Sequence, residues 1–508
     1  MVVGAGIGGL TAAALLAKRG YRVRLYDQAA LPGGCASTFR RRGFTFDVGA
    51  TQVAGLEPGG IHHQILTELG VDLPQAEPCD PGCAVFLPGE SEPVRVWRDP
   101  ARWRAERQRQ FPGSEPFWQK LESLFEYSWR FQSREPVLPP RSLWDGWRLA
   151  QALRPDTLLT VPHTFSTVGD LLRGYGLADN RRLKTFLDLQ LKLYSQVGAD
   201  ETALLYAATA LGVSQAPQGL YHLQGSMQAL STALVKALRR HGGELYLGHR
   251  AEQIQLEGGR PRYVKVHHPR CDRTWLEPAD HVVANVTVQN LTQLLGDQTP
   301  TGYRQRVDKL EPASGAFVVY LGVDRRAIPE GCPPHLQFLY DYDGPIGENN
   351  SLFVSVSRPG DGRAPAGQAT VIASSFTDVQ AWRHCDDYGA LKAEYQRDAI
   401  ARLGHYFDLT PDNILHAESA TPRTFERYTA RHRGMVGGIG QRLSTFGPFG
   451  FATRTPVPKL WLVGDCVHPG EGTAGVSYAA MTAVNQIDQM EGGRLPTGGI
   501  GSVLSLRP

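Results

Sequence analysis

Cysteine is sparse, with seven in 508 residues, and only Cys79 and Cys83 lie close together. That density excludes a disulfide scaffold, and without a second pair at ligand spacing no metal site is expected. Charge of one sign is also missing: 53 Lys and Arg against 50 Asp and Glu leave a formal net charge of +3. With no global positive field, a nucleic-acid partner is not expected. Gly (56) and Pro (35) stay below low-complexity levels, and 42% hydrophobic residues is ordinary for a folded chain. Disorder and collagen-like repeats are excluded. Long apolar runs are lacking as well. Residues 1–17 carry no charge, but no basic segment precedes them and four glycines interrupt them. Residues 202–235 hold no Asp, Glu, Lys or Arg and only His222 can gain charge near neutral pH, yet Pro217 and several Gln and Gly make them too polar to span a membrane. They suit the wall of an apolar cavity.

The chain is long enough for two or three lobes. It opens in βαβ order: a strand at 1–3, a glycine turn, a helix from about 9 to 19, and a strand at 21–26 ending in Asp27. A Pro-Gly-Gly loop follows at 32–34, then the alternating Phe44, Phe46 and Val48. From about 60 to 219 the pattern turns helical and gathers Trp97, Trp103, Trp118, Trp129, Trp144 and Trp147. A helix starting near Gly225 and strands at 245–247, 263–266 and 281–284 return to the opening pattern. After a second mixed block with strands at 317–321 and 352–356, a strand at 460–463, a glycine-rich turn and a helix from about 474 to 490 end the fold. The expected division is a discontinuous dinucleotide-binding domain at 1–60, 220–310 and 445–492, a mixed α+β substrate domain at 61–219 and 311–444, and a tail at 493–508.

Gly4-Ala5-Gly6-Ile7-Gly8-Gly9 fits G-x-G-x-x-G between a strand and a helix, and Asp27 follows 23 residues after Gly4. Glycines there permit a tight turn, close approach of pyrophosphate and helix packing, while the acid accepts ribose hydroxyls. Two further motifs favour FAD over NAD(P): Pro32-Gly33-Gly34 just after the acid, and Gly464-Asp465 between the last strand and helix. A carboxylate there suits a ribityl chain, and the following helix N-terminus turns its positive dipole end toward the flavin pyrimidine. For Asp465 alone, a helix cap is the competing explanation.

Gly4 to Gly9, Asp27, Pro32 to Gly34, Asp47-Val48-Gly49, and Gly464-Asp465 with the turn His468-Pro469-Gly470-Glu471-Gly472-Thr473-Ala474-Gly475-Val476 together resemble the FAD-dependent carotenoid desaturases and isomerases of the phytoene desaturase type. Segments 43–51 and 220–227 look most like the cyanobacterial-type 3',4' carotenoid desaturases. The resemblance implies an α/β fold with a Rossmann-like FAD domain of glutathione-reductase type. It implies FAD contacts from Gly4, Gly6, Gly8, Gly9, Asp27, Gly33, Gly34, Gly49, Gly464, Asp465, Gly475 and Val476, and from the backbone of Ala251 to the adenine. His468 and Glu471 become candidates for moving a proton, against the plainer reading that they only shape the turn. The expected partners are a C40 carotenoid, a membrane surface touched peripherally from the cytoplasm, and an electron acceptor such as a quinone or O2. In two departures, Cys35 stands where relatives often place Arg, and the chain begins two valines before Gly4, where a shortened start would weaken the sheet edge.

A CH2–CH2 bond has no acidic proton, so the implied reaction sends hydride to the flavin and then releases a proton. Residues 97–109 and 144–153 mix arginine with tryptophan, which suits a lipid interface or, more plainly, a solvated helix face. Cys79 and Cys83 sit in a Pro/Gly loop with nothing nearby to lower a thiol pKa, so redox work is not expected of them. Four rivals stay open: an isomerase using reduced flavin, a saturase, a prenyl-lipid escort resembling the GDP-dissociation inhibitors, and an amine oxidase. The last needs a lysine near the flavin and an aromatic cage that the residues do not reveal.

Overall fold

A computed structural model describes residues 1–492, and the expected tail lies outside the described residues. Val2–Val3 and Val282–Ala284 are apolar because both faces of a parallel strand are covered. They form a five-stranded parallel sheet in the order Glu244–Leu247, Arg24–Asp27, Val2–Val3, Val282–Ala284, Leu460–Leu462. The first strand therefore lies in the centre, with Val2 paired to both Leu25 and Val283, and not at the edge where it was expected. The second strand starts at Arg24 and not at 21, because Gly20 at φ +89° turns the chain and Tyr21 N–H closes onto Leu16 O. Helices Ile7–Lys18, Gln228–Arg240 and Thr473–Met490 share one apolar core on this sheet. Helix Ile61–Leu69 joins that core through Ile65, Leu66 and Leu69. The other face meets the antiparallel strands Arg250–Glu257, Arg260–His268 and Arg273–Pro278 and helix Val288–Leu295.

A seven-stranded sheet runs Ile414–Ala420, Gly315–Asp324, Gln368–Thr377, Ser351–Val356, His335–Leu339, Cys83–Phe86, Val94–Val96. Period-two alternation explains its two faces. Phe317, Val319 and Leu321 enter one core with Trp382, whereas Ala316, Val318 and Tyr320 enter another with Phe44 and Phe46. A helical layer covers one end of the sheet, where Trp103, Trp118, Phe111 and Phe186 pack together. Between this sheet and the first one lies a buried charge network. Arg363 Nη2 donates to Asp47 Oδ2 over 3.0 Å, and its Nη1 donates to Asp361 Oδ2 over 3.2 Å and to Leu223 O over 2.7 Å. Asp47 Oδ1 in turn accepts from Met227 N–H at the start of helix Gln228–Arg240, over 2.8 Å.

Candidate functional site

The glycine turn is built around close approach. Gly4 adopts φ +96°, and a Cβ on Gly9 would sit 1.9 Å from Gly4 O, so both positions need glycine. Beneath the turn lies Asn285, 2.8 Å from where a Gly6 Cβ would be and 2.9 Å from that of Gly8. Asp27 is fixed by two backbone donors, Ala5 N–H at 2.6 Å and Ala29 N–H at 2.7 Å. Burial still pushes its carboxyl above the ordinary range. Gly33 pairs in parallel with Gly6, bringing the Pro-Gly-Gly loop against the first turn. Gly4, Gly6, Gly8, Asp27, Gly33, Gly34, Gly49 and Ala251 line one cavity of about 1860 Å³, as do Gly464, Asp465, Glu471, Gly475 and Val476. Gly9 packs behind the turn and does not line it.

Asp465 is not a helix cap, since Gly472 occupies the N-cap of Thr473–Met490. Its Oδ2 instead pairs with Arg431 Nη1 at 2.9 Å. Arg431 also donates through Nε to Met435 O over 2.9 Å, and its charge acts on the half-buried Cys35 thiol. The two proton-moving candidates separate. His468 lies outside the cavity lining, and burial pushes it down to about 4. Its Nε2 accepts from Gln132 Nε2 at 2.8 Å, which leaves the ring proton on Nδ1. Glu471 does line the cavity; burial first and Asp465 second push it up to about 8. Gln196 Nε2 donates to Glu471 Oε2 over 3.1 Å.

From residues 202–235, helix Leu204–Gly212 contributes Tyr206, Thr209 and Ala210 to the cavity wall, followed by Val213, Gln218 and Leu220. The arginines at 102–109 are ion-paired, Arg102, Arg104 and Arg109 while half-exposed and Arg107 while buried. Arg107 is 1% exposed and bridges Glu115 at 3.0 Å and Glu122 at 2.6 Å, while Trp103 is buried in the helical core. Arg102 pairs with Asp80 at 3.2 Å and Arg109 with Glu106 at 2.9 Å. Cys79 and Cys83 are buried and free, and burial pushes their thiols up to about 11 and about 12. Asn285, Arg431, Gln196 and Gln132 had no signal in the sequence, because each lies outside the glycine motifs and reaches the site only through the fold.

The cradle fits a dinucleotide on its own geometry: a glycine turn that a Cβ would fill, a fixed carboxylate and a helix N-terminus without a side-chain cap. Residues 7–487 match the flavin containing amine oxidoreductases. The chain belongs to that family. It is 26% identical to prolycopene isomerase 1 of an Oncidium hybrid over 96% of this chain and 83% of that protein. It is likewise 26% identical to a zeta-carotene-forming phytoene desaturase of Myxococcus xanthus over 96% of this chain and 93% of that one. Cyclohexylamine oxidase of Brevibacterium oxydans shares the fold with a TM-score of 0.61 at 17% identity, covering 96% and 98% of the two chains. This chain is an FAD-dependent oxidoreductase.

Proposed function

We propose that the protein desaturates a C40 carotenoid near one chain end, at the 3',4' position. The observation that carries this reading is a single cavity that holds both the dinucleotide cradle and an apolar wall from helix Leu204–Gly212, with Glu471, a carboxyl that burial pushes up to about 8, in the same lining. Bound FAD supplies the hydride acceptor. The chain's own part is to align the polyene, exclude water with Trp129, Tyr194, Tyr206 and Phe446, and take the released proton on Glu471. The glycine turn, Asp27, Gly33, Gly34 and the Gly464-Asp465 turn would hold the cofactor, with the backbone of Ala251 toward its adenine. A quinone or O2 receives the electrons. Pigment extracted after incubation with the holoenzyme should have lost two hydrogens and absorb further to the red. A product of unchanged mass would overturn the desaturase reading.

A second reading, cis–trans isomerisation, is favoured by the isomerase names among the relatives and by a Glu471 that still carries its proton at neutral pH. The same mass measurement separates the two.

The carotenoid reaches the cavity from a membrane that the protein touches peripherally. No helix among the described residues is long and apolar enough to cross one. Leu143 (96% exposed), Trp147, Leu158, Leu159 and Phe165 stand out to solvent on consecutive short helices, and Phe449 joins them with its ring 6.0 Å from that of Phe165. Exposed Arg141 and Arg154 flank this patch without ion pairs among the described residues, matching anionic headgroups. Asp145, wholly buried, anchors the helix Leu143–Ala152 to Gln486 at 2.9 Å. Leu143→Glu with Trp147→Glu and Phe165→Glu should stop pelleting with phosphatidylglycerol vesicles. Undiminished pelleting of that variant would refute this face.

A further inference from the structure

Glu471 is held from one side only. Gln196 Nε2 donates to Oε2 over 3.1 Å and Gly438 N–H donates to the same oxygen over 3.3 Å, while Oε1 is buried with no partner. Gln196 occupies an unusual position to do this. It ends helix Arg181–Ser195 in the left-handed region, φ 67° and ψ −4°, where glycine or asparagine is the ordinary choice. Its carbonyl is pinned by Lys192 Nζ at 2.8 Å, and the residue is 6% exposed and lines the cavity. The neighbouring backbone is cut to fit. A Cβ on Gly437 would lie 2.2 Å from Gln196 Nε2 and 2.5 Å from Glu471 Oε2. Ending a helix requires no amide side chain, and a glycine would end this one with less strain. The amide is used on the carboxyl.

We infer that Gln196 is a positioning residue that ties one oxygen of Glu471 to the protein and leaves the other for the proton lost by the substrate. The inference rests on Glu471 as the proton acceptor. In that step, hydride has left one carbon for the FAD that this family carries. The C–H bond on the adjoining carbon breaks, its electron pair becomes the second bond of C=C, and the proton forms O–H on Glu471. Around the carboxyl, Asp465 opposes ionisation, whereas Arg431 and the Gln196 hydrogen bond favour it; Lys192 and Tyr206 also face it. Removing the amide therefore makes Glu471 harder to ionise.

The test uses the purified flavoprotein and two readouts. Infrared difference titration follows the C=O stretch of the protonated carboxyl, assigned by its loss in Glu471→Gln, and turnover is measured against pH. In the wild type the band should vanish with a midpoint near 8. Gln196→Gly keeps the left-handed turn and should melt no lower than the wild type, yet its midpoint should rise by about one unit. Turnover near neutral pH should then fall about tenfold with KM unchanged, since the ionised fraction falls about tenfold. Gln196→Glu, which sets a second carboxyl against the first, should move the midpoint further up. An unchanged midpoint in both variants, with turnover of Glu471→Gln strongly reduced and flat against pH, overturns the role of Gln196 alone. Full turnover by Glu471→Gln overturns the reading of Glu471 and this role with it.

Discussion

Arg363→Met should be among the most destabilising single substitutions in the protein. The guanidinium is 3% exposed and its partners Asp47 and Asp361 are 2% and 4% exposed, so no water replaces it. Deleting the cation strands two carboxylates, and breaking one buried pair already costs about 3–5 kcal/mol. Leu223 O and the start of helix Gln228–Arg240 lose their anchor in the same change. The pH dependence gives the sharper test. Burial pushes the Asp361 carboxyl up, but His222 and Arg363 outweigh it and hold it below the ordinary range. A depressed carboxyl contributes stability above its unfolded pKa that is lost as pH falls, so the Asp361 contribution is lost on acidification, whereas Asp47, which burial holds above the ordinary range despite Arg363, contributes in the opposite sense. Without Arg363 the stranded carboxyls take up protons more readily, and the deficit of the variant should shrink toward about pH 5. Urea unfolding followed by circular dichroism at both pH values measures this. A loss under about 1 kcal/mol at neutral pH, or a deficit that does not change with pH, would refute the network as the weld between the two sheets.

Gly6→Asp should abolish flavin retention during purification, because the side chain would meet Asn285 Nδ2 within 2.8 Å and place negative charge where pyrophosphate is expected; retained flavin absorbance would contradict the cradle. Glu57→Leu should stabilise the protein by about 1–3 kcal/mol, since both carboxyl oxygens of this 7% exposed residue lack partners. Burial raises the Glu57 pKa, so wild-type stability is lost as pH rises through it and the gain of the variant should grow with pH. A lower melting temperature at alkaline pH would show that the carboxylate is satisfied by a group other than protein.

What the residues revealed directly was local. The glycine turn, the acid at 27 and the Gly464-Asp465 turn were legible because each depends on backbone conformation or on one carboxylate at a strand end, and such demands are written in contiguous residues. The helix from 7 to 18 was placed two residues late, since Ile7 and Gly8 read as turn when the only signal is glycine content. The pairing inside the arginine-rich 97–109 segment was hidden for a different reason. Composition cannot show that Glu106, Glu115 and Glu122 return to the same surface and pair with these arginines. Gln196 and Arg431 were beyond reach for a third reason: each meets its carboxylate from a distant segment, and no spacing rule connects 196 with 471 or 431 with 465. His468 and Glu471, three residues apart in one turn, looked equivalent. Burial beside Gln132 removes one from the cavity, and only the fold could tell them apart.

The division of labour in that turn also decides what separates a desaturase from an isomerase on the same scaffold. Both need an apolar cavity against the flavin, and both tolerate a carboxyl that is mostly protonated at rest. They differ in the direction in which the proton must travel. A desaturase consumes the ionised form of Glu471 in each turnover, so its rate should climb as pH rises toward the midpoint near 8. An isomerase that uses the carboxyl as an acid should instead lose rate across the same interval. The two pH profiles are mirror images about one residue, and Glu471→Gln should flatten whichever is found. A profile that rises through the midpoint and goes flat in Glu471→Gln, with product lighter by two hydrogens, is the combination that the desaturase reading requires. A falling profile with product of constant mass would transfer the same geometry to the isomerase.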